Sequence, residues 1–350
     1  MAAEQEKSIF IRADGNARIG AGHLMRCLTI ADALNCRDSV RFLCADEESA
    51  ELARQRGYEA VTLGTDYRDM LSELPILEEL WAGKDRGAQT APQTILVDSY
   101  YVSADYLRAL RAFGRVFLME DIPGRSWPVD GVINYNAFAE EETYNAVYEQ
   151  WGNVRRYIGA SYVPLRPAFA DRQYQVREQV RELLLTTGGG DRENIAGKIL
   201  ERLGNTSYVI HVVSGPYNPH GAWLARYAQE HPRVVVHRQV TEMAELMLQC
   251  DLAVTAGGTT IYELCALGVP FVCFSYAENQ EALADYAGRR EIGLDAGKYH
   301  YDPVRTLENI GRLVEQAAAD AQRRREMSRR AAGLVDGRGA VRLAEALLAD

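Results

Sequence analysis

The stretch Ile11-Arg12-Ala13-Asp14-Gly15-Asn16-Ala17-Arg18-Ile19-Gly20-Ala21-Gly22-His23-Leu24-Met25-Arg26 decides how this chain is read. It begins inside a β-rich run, residues 8–13, and passes through a loop holding Gly15, Gly20 and Gly22. It then enters a segment where Leu24, Leu28, Ala31 and Leu34 recur at spacings of three and four. A short apolar run followed by a helical period is a strand–loop–helix unit. Gly20 and Gly22 permit tight or left-handed backbone, so a ligand can come close to the chain. A dinucleotide fingerprint needs a third glycine where Met25 stands, which weakens a nicotinamide or flavin reading.

Outward from this unit the same rhythm continues. Candidate strands at 40–44, 94–97, 115–119 and 131–134 alternate with helical stretches such as 49–56 and 104–113. Residues 83–93, rich in small and polar side chains, read as an exposed loop. The segment 162–177, with Pro164 and Pro167, reads as the boundary between domains. The rhythm then restarts with a strand at 182–186, Gly188-Gly189-Gly190 and a helix near 194–203. Further strands are expected at 208–214, 233–236, 252–255 and 270–275, before a charged helical tail. The expectation is an α/β chain of two Rossmann-like domains, 1–165 and 166–350, the second carrying that tail. Such domains bind ligands at the carboxyl ends of their strands, here in a cleft faced by both.

Bulk properties narrow the function. The 350 residues are 47% hydrophobic and 25% charged, the composition of globular domains. A net charge of −10 argues against nonspecific nucleic-acid binding. No apolar run is long enough to insert in a membrane. Residues 1–8 are polar and lack a signal-peptide pattern, so a cytoplasmic location is expected. Six scattered cysteines without a Cys-x-x-Cys pair read as reduced, buried hydrophobes. His211, His220, His231, His237 and His300 show no metal-ligand spacing, and no metal or other cofactor is expected.

Two constellations carry chemistry. His23 stands at the first turn of a helix, at the lip of the expected cleft, where a neutral imidazole is suited to take a proton from water. The alternative is a histidine that caps the helix or packs on the sheet. Asp14 either binds sugar or hydrogen-bonds loop N–H groups. In the second half, Ala256-Gly257-Gly258-Thr259-Thr260 turns from a strand into a helix that ends at Gly268. Gly257, Gly258, Thr259 and Thr260 at a helix N-terminus suit a diphosphate. Thr260-Ile261-Tyr262-Glu263 also fits a capping box, which would consume the Glu263 carboxylate locally; the other reading has Glu263 accepting from ribose hydroxyls. Gly189 serves either a nucleotide or chain packing. Asn279 and Gln280 are either a cap and a surface amide or ligand contacts.

The run Arg12-Ala13-Asp14, then Ile19-Gly20-Ala21-Gly22-His23-Leu24-Met25-Arg26-Cys27-Leu28, closely resembles the start of the UDP-2,4-diacetamido-2,4,6-trideoxy-β-L-altropyranose hydrolases of pseudaminic acid biosynthesis, a family that includes related spore-coat polysaccharide proteins. Asp98-Ser99-Tyr100 resembles the family's Asp-x-Tyr, and Leu165-Arg166-Pro167-Ala168-Phe169 its Leu-Arg-Pro-x-Phe segment. Glu120-Asp121 stands where the family has Asp-Asp, with the first acid changed. The resemblance implies a glycosyltransferase-B-like architecture and hydrolysis of a UDP-sugar at the anomeric C–O bond, with inversion. It further implies His23 as the base, with Asp14, Gly20, Gly22, Arg26 and Tyr100 around the sugar. Glu263 would hold the ribose and Gly189 would help hold the nucleotide. Asn279 and Gln280 would reach the acetamido groups, whose donors and acceptors an amide matches. A glycosyltransferase, a non-catalytic nucleotide-sugar sensor and a dinucleotide oxidoreductase are the competing readings.

Overall fold

The computed structural model describes residues 8–349 apart from 17, 83–92, 123, 205 and 216–217. The expected loop at 83–93 therefore lies almost wholly outside the described residues. The chain divides into two compact units, residues 1–165 with 338–350, and residues 166–337.

Among the described residues the first unit holds seven parallel strands: β1 (Ile9–Ala13), β2 (Val40–Cys44), β3 (Glu59–Thr62), β4 (Gln93–Asp98), β5 (Gly114–Met119), β6 (Gly131–Asn134) and β7 (Arg155–Ile158). Their order is β3-β2-β1-β4-β5-β6-β7. The helices are α1 (Gly22–Ala33), α2 (Glu47–Gln55), α3 (Leu74–Ala82), α4 (Ala104–Leu110) and α5 (Glu141–Tyr148). Strand β1 lies inside the sheet and is wholly buried, which its near-continuous apolar run requires in a sheet covered on both faces. On one face Phe10, Ile95, Val97 and Leu118 pack with Trp81, Tyr106, Leu107 and Tyr144. Helix α1 turns Leu24, Cys27, Leu28 and Ala31 inward at helical spacing.

Arg12 breaks the apolar run of β1 and is fully buried. Its Nε and Nη2 donate to Glu73, and Nη1 donates to Asp14 at 2.6 Å. Tyr106 adds a hydrogen bond to Glu73 at 2.9 Å. Burial alone would disfavour the charge, but the Glu73 hydrogen bonds and both carboxylates keep the guanidinium charged.

Among the described residues the second unit holds six parallel strands: β8 (Glu182–Thr186), β9 (Val209–Ser214), β10 (Val234–Arg238), β11 (Leu252–Ala256), β12 (Phe271–Ser275) and β13 (Leu294–Lys298). The order β10-β9-β8-β11-β12-β13 repeats the pattern of the first sheet. Its helices are α6 (Ile195–Leu203), α7 (Gly221–Glu230), α8 (Met243–Gln249), α9 (Thr260–Leu267), α10 (Glu278–Arg289), α11 (Pro303–Ala319) and α12 (Ala321–Ala332). Leu183, Leu185, Val254, Val272 and Phe274 from the strands pack with Ile199, Leu200, Ile310 and Val314 from the helices.

Two sequence expectations are corrected. Strands β3, β7 and β13 were not anticipated: all lie at sheet edges, half exposed, where burial does not demand an apolar run. The C-terminal tail also divides. Helix α13 (Gly339–Leu348) belongs to the first unit, packing on α1 and β4, not to the second domain as read from 166–350. Arg115 donates to the Leu347 carbonyl at 2.9 Å, and a Cβ at Gly339 would sit 2.2 Å from the Val163 carbonyl oxygen. Among the described residues no helix is long and apolar enough to cross a membrane.

Candidate active site

In the first sheet the strand order reverses between β1 and β4, so the loops leaving these strands part towards opposite faces and open a crevice. Ala13 at the end of β1 pairs with Asp98 at the end of β4. The register therefore sets the carboxylate of Asp98 against the first turns of α1.

His23 is the second residue of α1, with 13% of its side chain exposed. Its Nδ1 lies 2.7 Å from Asp98 Oδ1. A carboxylate there takes the Nδ1 proton as its hydrogen bond, so the neutral ring carries its lone pair on Nε2. Arg26, one turn on, donates from Nε and Nη2 to the same carboxylate at 2.5 Å each. Its Nη1 donates to Asp121 at 3.0 Å and to the Tyr135 hydroxyl at 2.8 Å. The Tyr100 hydroxyl donates to Asp121 at 2.9 Å, and its ring stands edge-on to His23 with centroids 4.5 Å apart. The contacts close into a circuit: His23, Asp98, Arg26, Asp121, Tyr100 and back to His23.

Asp98 and Tyr100 are held in opposite protonation states. Burial would raise the Asp98 carboxyl, but the charge and hydrogen bonds of Arg26, with those of His23, bring it down to about 2. Burial and the nearby Asp121 push the Tyr100 phenol up, so it remains a donor at neutral pH. The arrangement is an imidazole oriented by a permanently ionised carboxylate, able to accept a proton at Nε2.

The glycine loop beside it is held from below. Asn16 Oδ1 accepts from the N–H groups of Arg18 and Ile19, and its amide donates to Asp46 at 2.7 Å. Gly20 has φ +78, which favours glycine, whereas Gly22 is exposed with open space where a Cβ would stand. Asp14 is buried, accepting from Arg12 on Oδ2 and from the Ala45 N–H at 2.7 Å on Oδ1. Asp14 thus bonds the backbone that follows β2.

In the second unit the same reversal falls between β8 and β11. The two loops there differ in what their helix ends offer. At α6, Asp191 accepts from the N–H groups of Ile195 and Ala196 at 2.7 and 2.8 Å, so a carboxylate already fills that terminus. At α9 no side chain caps the helix. The N–H groups of Thr259 and Thr260 make no hydrogen bond among the described residues. An anion is therefore favoured at α9 and disfavoured at α6. Gly258 is open, whereas a Cβ at Gly257 would meet the Gln280 carbonyl oxygen at 2.7 Å. Gly257 thus lets the turn nest against the start of α10. Gly189 is also open, following Gly188 at φ +88.

The capping box that Thr260 and Glu263 allow is not formed. The Glu263 carboxylate, 20% exposed, makes no hydrogen bond among the described residues and lies 3.9 Å from Arg166. Burial raises it to about 7 against the opposing charge of Arg166. Asn279 is exposed on the first turn of α10, and Gln280 Oε1 accepts from the Tyr276 N–H at 3.1 Å, bracing the loop after β12.

The structure thus gathers Asp14, Gly20, Gly22, His23, Arg26 and Tyr100 in one unit. Gly189, Gly257, Gly258, Thr259, Thr260, Glu263, Asn279 and Gln280 lie in the other. Asp98, Asp121 and Arg166 stood in the resembling motifs without a role of their own, and Tyr135 was not singled out. The available signal was an acid ending the strand after which the order reverses. Glu120, the changed acid, accepts from Trp127 Nε1 at 2.9 Å, and burial pushes its carboxyl up to about 7. Among the other histidines, His211 bridges His237 and Glu182, and no group of three or more described side chains is placed to hold a metal ion.

Residues 183–342 match the family model described as the glycosyltransferase family 28 C-terminal domain. The chain is 27% identical over 342 residues to the spore coat polysaccharide biosynthesis protein SpsG of Bacillus subtilis, covering 95% of each. It is 24% identical over 283 residues to the UDP-2,4-diacetamido-2,4,6-trideoxy-β-L-altropyranose hydrolase of Campylobacter jejuni. That match covers 81% of this chain and 96% of the relative. The chain thus resembles both the spore-coat protein and the hydrolase. Among solved structures, Acinetobacter baumannii MurG matches with a TM-score of 0.69 at 12% identity, covering 98% of this chain and 99% of that one. This likeness shows the fold, a two-domain glycosyltransferase-B architecture.

Proposed function

We propose that the chain hydrolyses a UDP-linked diacetamido-trideoxyhexose, releasing UDP and the free sugar with inversion, as a step in pseudaminic-acid-type nonulosonate biosynthesis. The observation that carries the reading is the His23–Asp98 pair at 2.7 Å, set beside a glycine loop at the strand reversal of the first sheet. The resemblance to the Campylobacter jejuni hydrolase supports the choice of substrate. Water attacks the anomeric carbon while His23 Nε2 takes its proton. The bond from that carbon to the phosphate oxygen breaks, and its electron pair leaves with UDP. Asp98 holds the ring in the required tautomer and stabilises the imidazolium that forms. The uncapped N-terminus of α9 receives the diphosphate and the charge it gains on leaving. Tyr100, beside His23, contacts the sugar, as do Asn279 and Gln280.

Transfer to an acceptor is the second reading, favoured by the match of residues 183–342 to a glycosyltransferase domain. The two separate in one assay. UDP- and CMP-linked diacetamido sugars are incubated without acceptor, following nucleotide release and the product anomer. Hydrolysis gives UDP in water alone. His23→Ala abolishes this release while UDP still binds; full turnover by that variant removes His23 from the mechanism.

A further inference from the structure

We propose that Arg166 is a positioning residue for nucleotide recognition: its guanidinium, 3.9 Å from Glu263, holds that carboxylate for the ribose hydroxyls. The inference rests on the reading of the second unit as the UDP site and adds the residue on which ribose recognition depends.

Three observations support it. Glu263 lies in the first turn of α9, the uncapped terminus assigned to the diphosphate, and its carboxylate takes no part in a capping box. A carboxylate in such surroundings is driven towards its neutral form by burial, and Glu263 is raised to about 7. Arg166 is the one charged group that opposes this among the described residues. Of the charged side chains on neighbouring elements, Glu245 of α8 pairs with Arg172, and Arg325 and Arg330 of α12 pair with Glu178 and Glu291. Arg166 is itself held. Its guanidinium lies over the Phe169 ring at 5.4 Å, and Nη1 donates to the Thr241 carbonyl at 3.4 Å. A carboxylate accepts from two hydroxyls at once, whereas a neutral carboxyl has lost part of that capacity.

The test is titration calorimetry of the full chain with UDP and with 2′,3′-dideoxyuridine diphosphate, from about pH 6 to about pH 9. The wild type is expected to prefer UDP by about tenfold at neutral pH, the worth of hydrogen bonds to a charged acceptor. Glu263→Gln loses that preference at every pH. Arg166→Ala loses it at neutral pH and regains it as the pH rises, because the carboxyl, without its cation, ionises later; Arg166→Lys retains most of it. The pH-dependent recovery separates this role from a merely structural one. An Arg166→Ala variant that keeps the wild-type preference at neutral pH, while Glu263→Gln loses it, overturns the role of Arg166 and leaves the ribose reading standing. A wild type that binds both nucleotides equally overturns the ribose reading itself, and the inference with it.

Discussion

Replacing Asp98 by Asn tests the first unit most directly. The side chain is almost isosteric, but the amide has one acceptor oxygen where the carboxylate serves His23 Nδ1 and two N–H groups of Arg26. If the amide nitrogen faces His23, it donates to Nδ1 and moves the ring proton to Nε2, leaving no base. If it faces Arg26 Nε, two donors are set against each other, and this second orientation is disfavoured. The first disables the imidazole, and UDP release should fall by about 10³–10⁴-fold, the effect of forcing the wrong tautomer. UDP binding should change less than about twofold, since the nucleotide is assigned to the second unit. Stability changes too. Asp98 is held at about 2 against an ordinary 3.8, which corresponds to roughly 2 kcal/mol of native-state stabilisation. Because the folded value is the lower one, this contribution is complete above about pH 4 and disappears as the pH falls towards 2. Single-turnover UDP release and acid titration followed by circular dichroism read the two effects. A variant releasing UDP within about tenfold of the wild-type rate would show that Asp98 does not set the imidazole's tautomer.

Two further outcomes are expected elsewhere. Glu73→Ala leaves the fully buried Arg12 with Asp14 alone, and should cost roughly 3–5 kcal/mol in denaturant unfolding; a loss below about 1 kcal/mol would mean that Arg12 finds another partner. Asp191→Ala removes the cap of α6 and should lower stability by about 0.5–2 kcal/mol while leaving UDP affinity within about twofold, and a large loss of affinity would move the nucleotide to this loop.

Much of this molecule is legible locally. The strand–loop–helix unit from β1 into α1, the glycine turn before α9 and the central strands each announce themselves within a few residues. Burial on both faces forces apolar runs, and the required backbone turns select glycine. The edge strands β3, β7 and β13 lack that pressure and pass unnoticed, whereas the edge strand β10 is read from its valine run. The capping pattern at Thr260 and Glu263 shows the opposite failure, a sound local signal that the fold does not use.

The sequence alone therefore determined the class of fold, the place where its strands end, and the histidine that stands there. Which groups surround that histidine was decided in three dimensions. Asp98 and Asp121 lie 75 and 95 residues from His23 and Arg26, the residues they bond, and helix α13 returns from the chain's end to the first unit. Periodicity records which side of an element is buried, not which distant element buries it. A hydrogen bond between strand ends depends on sheet order and register, and those are properties of the assembled sheet.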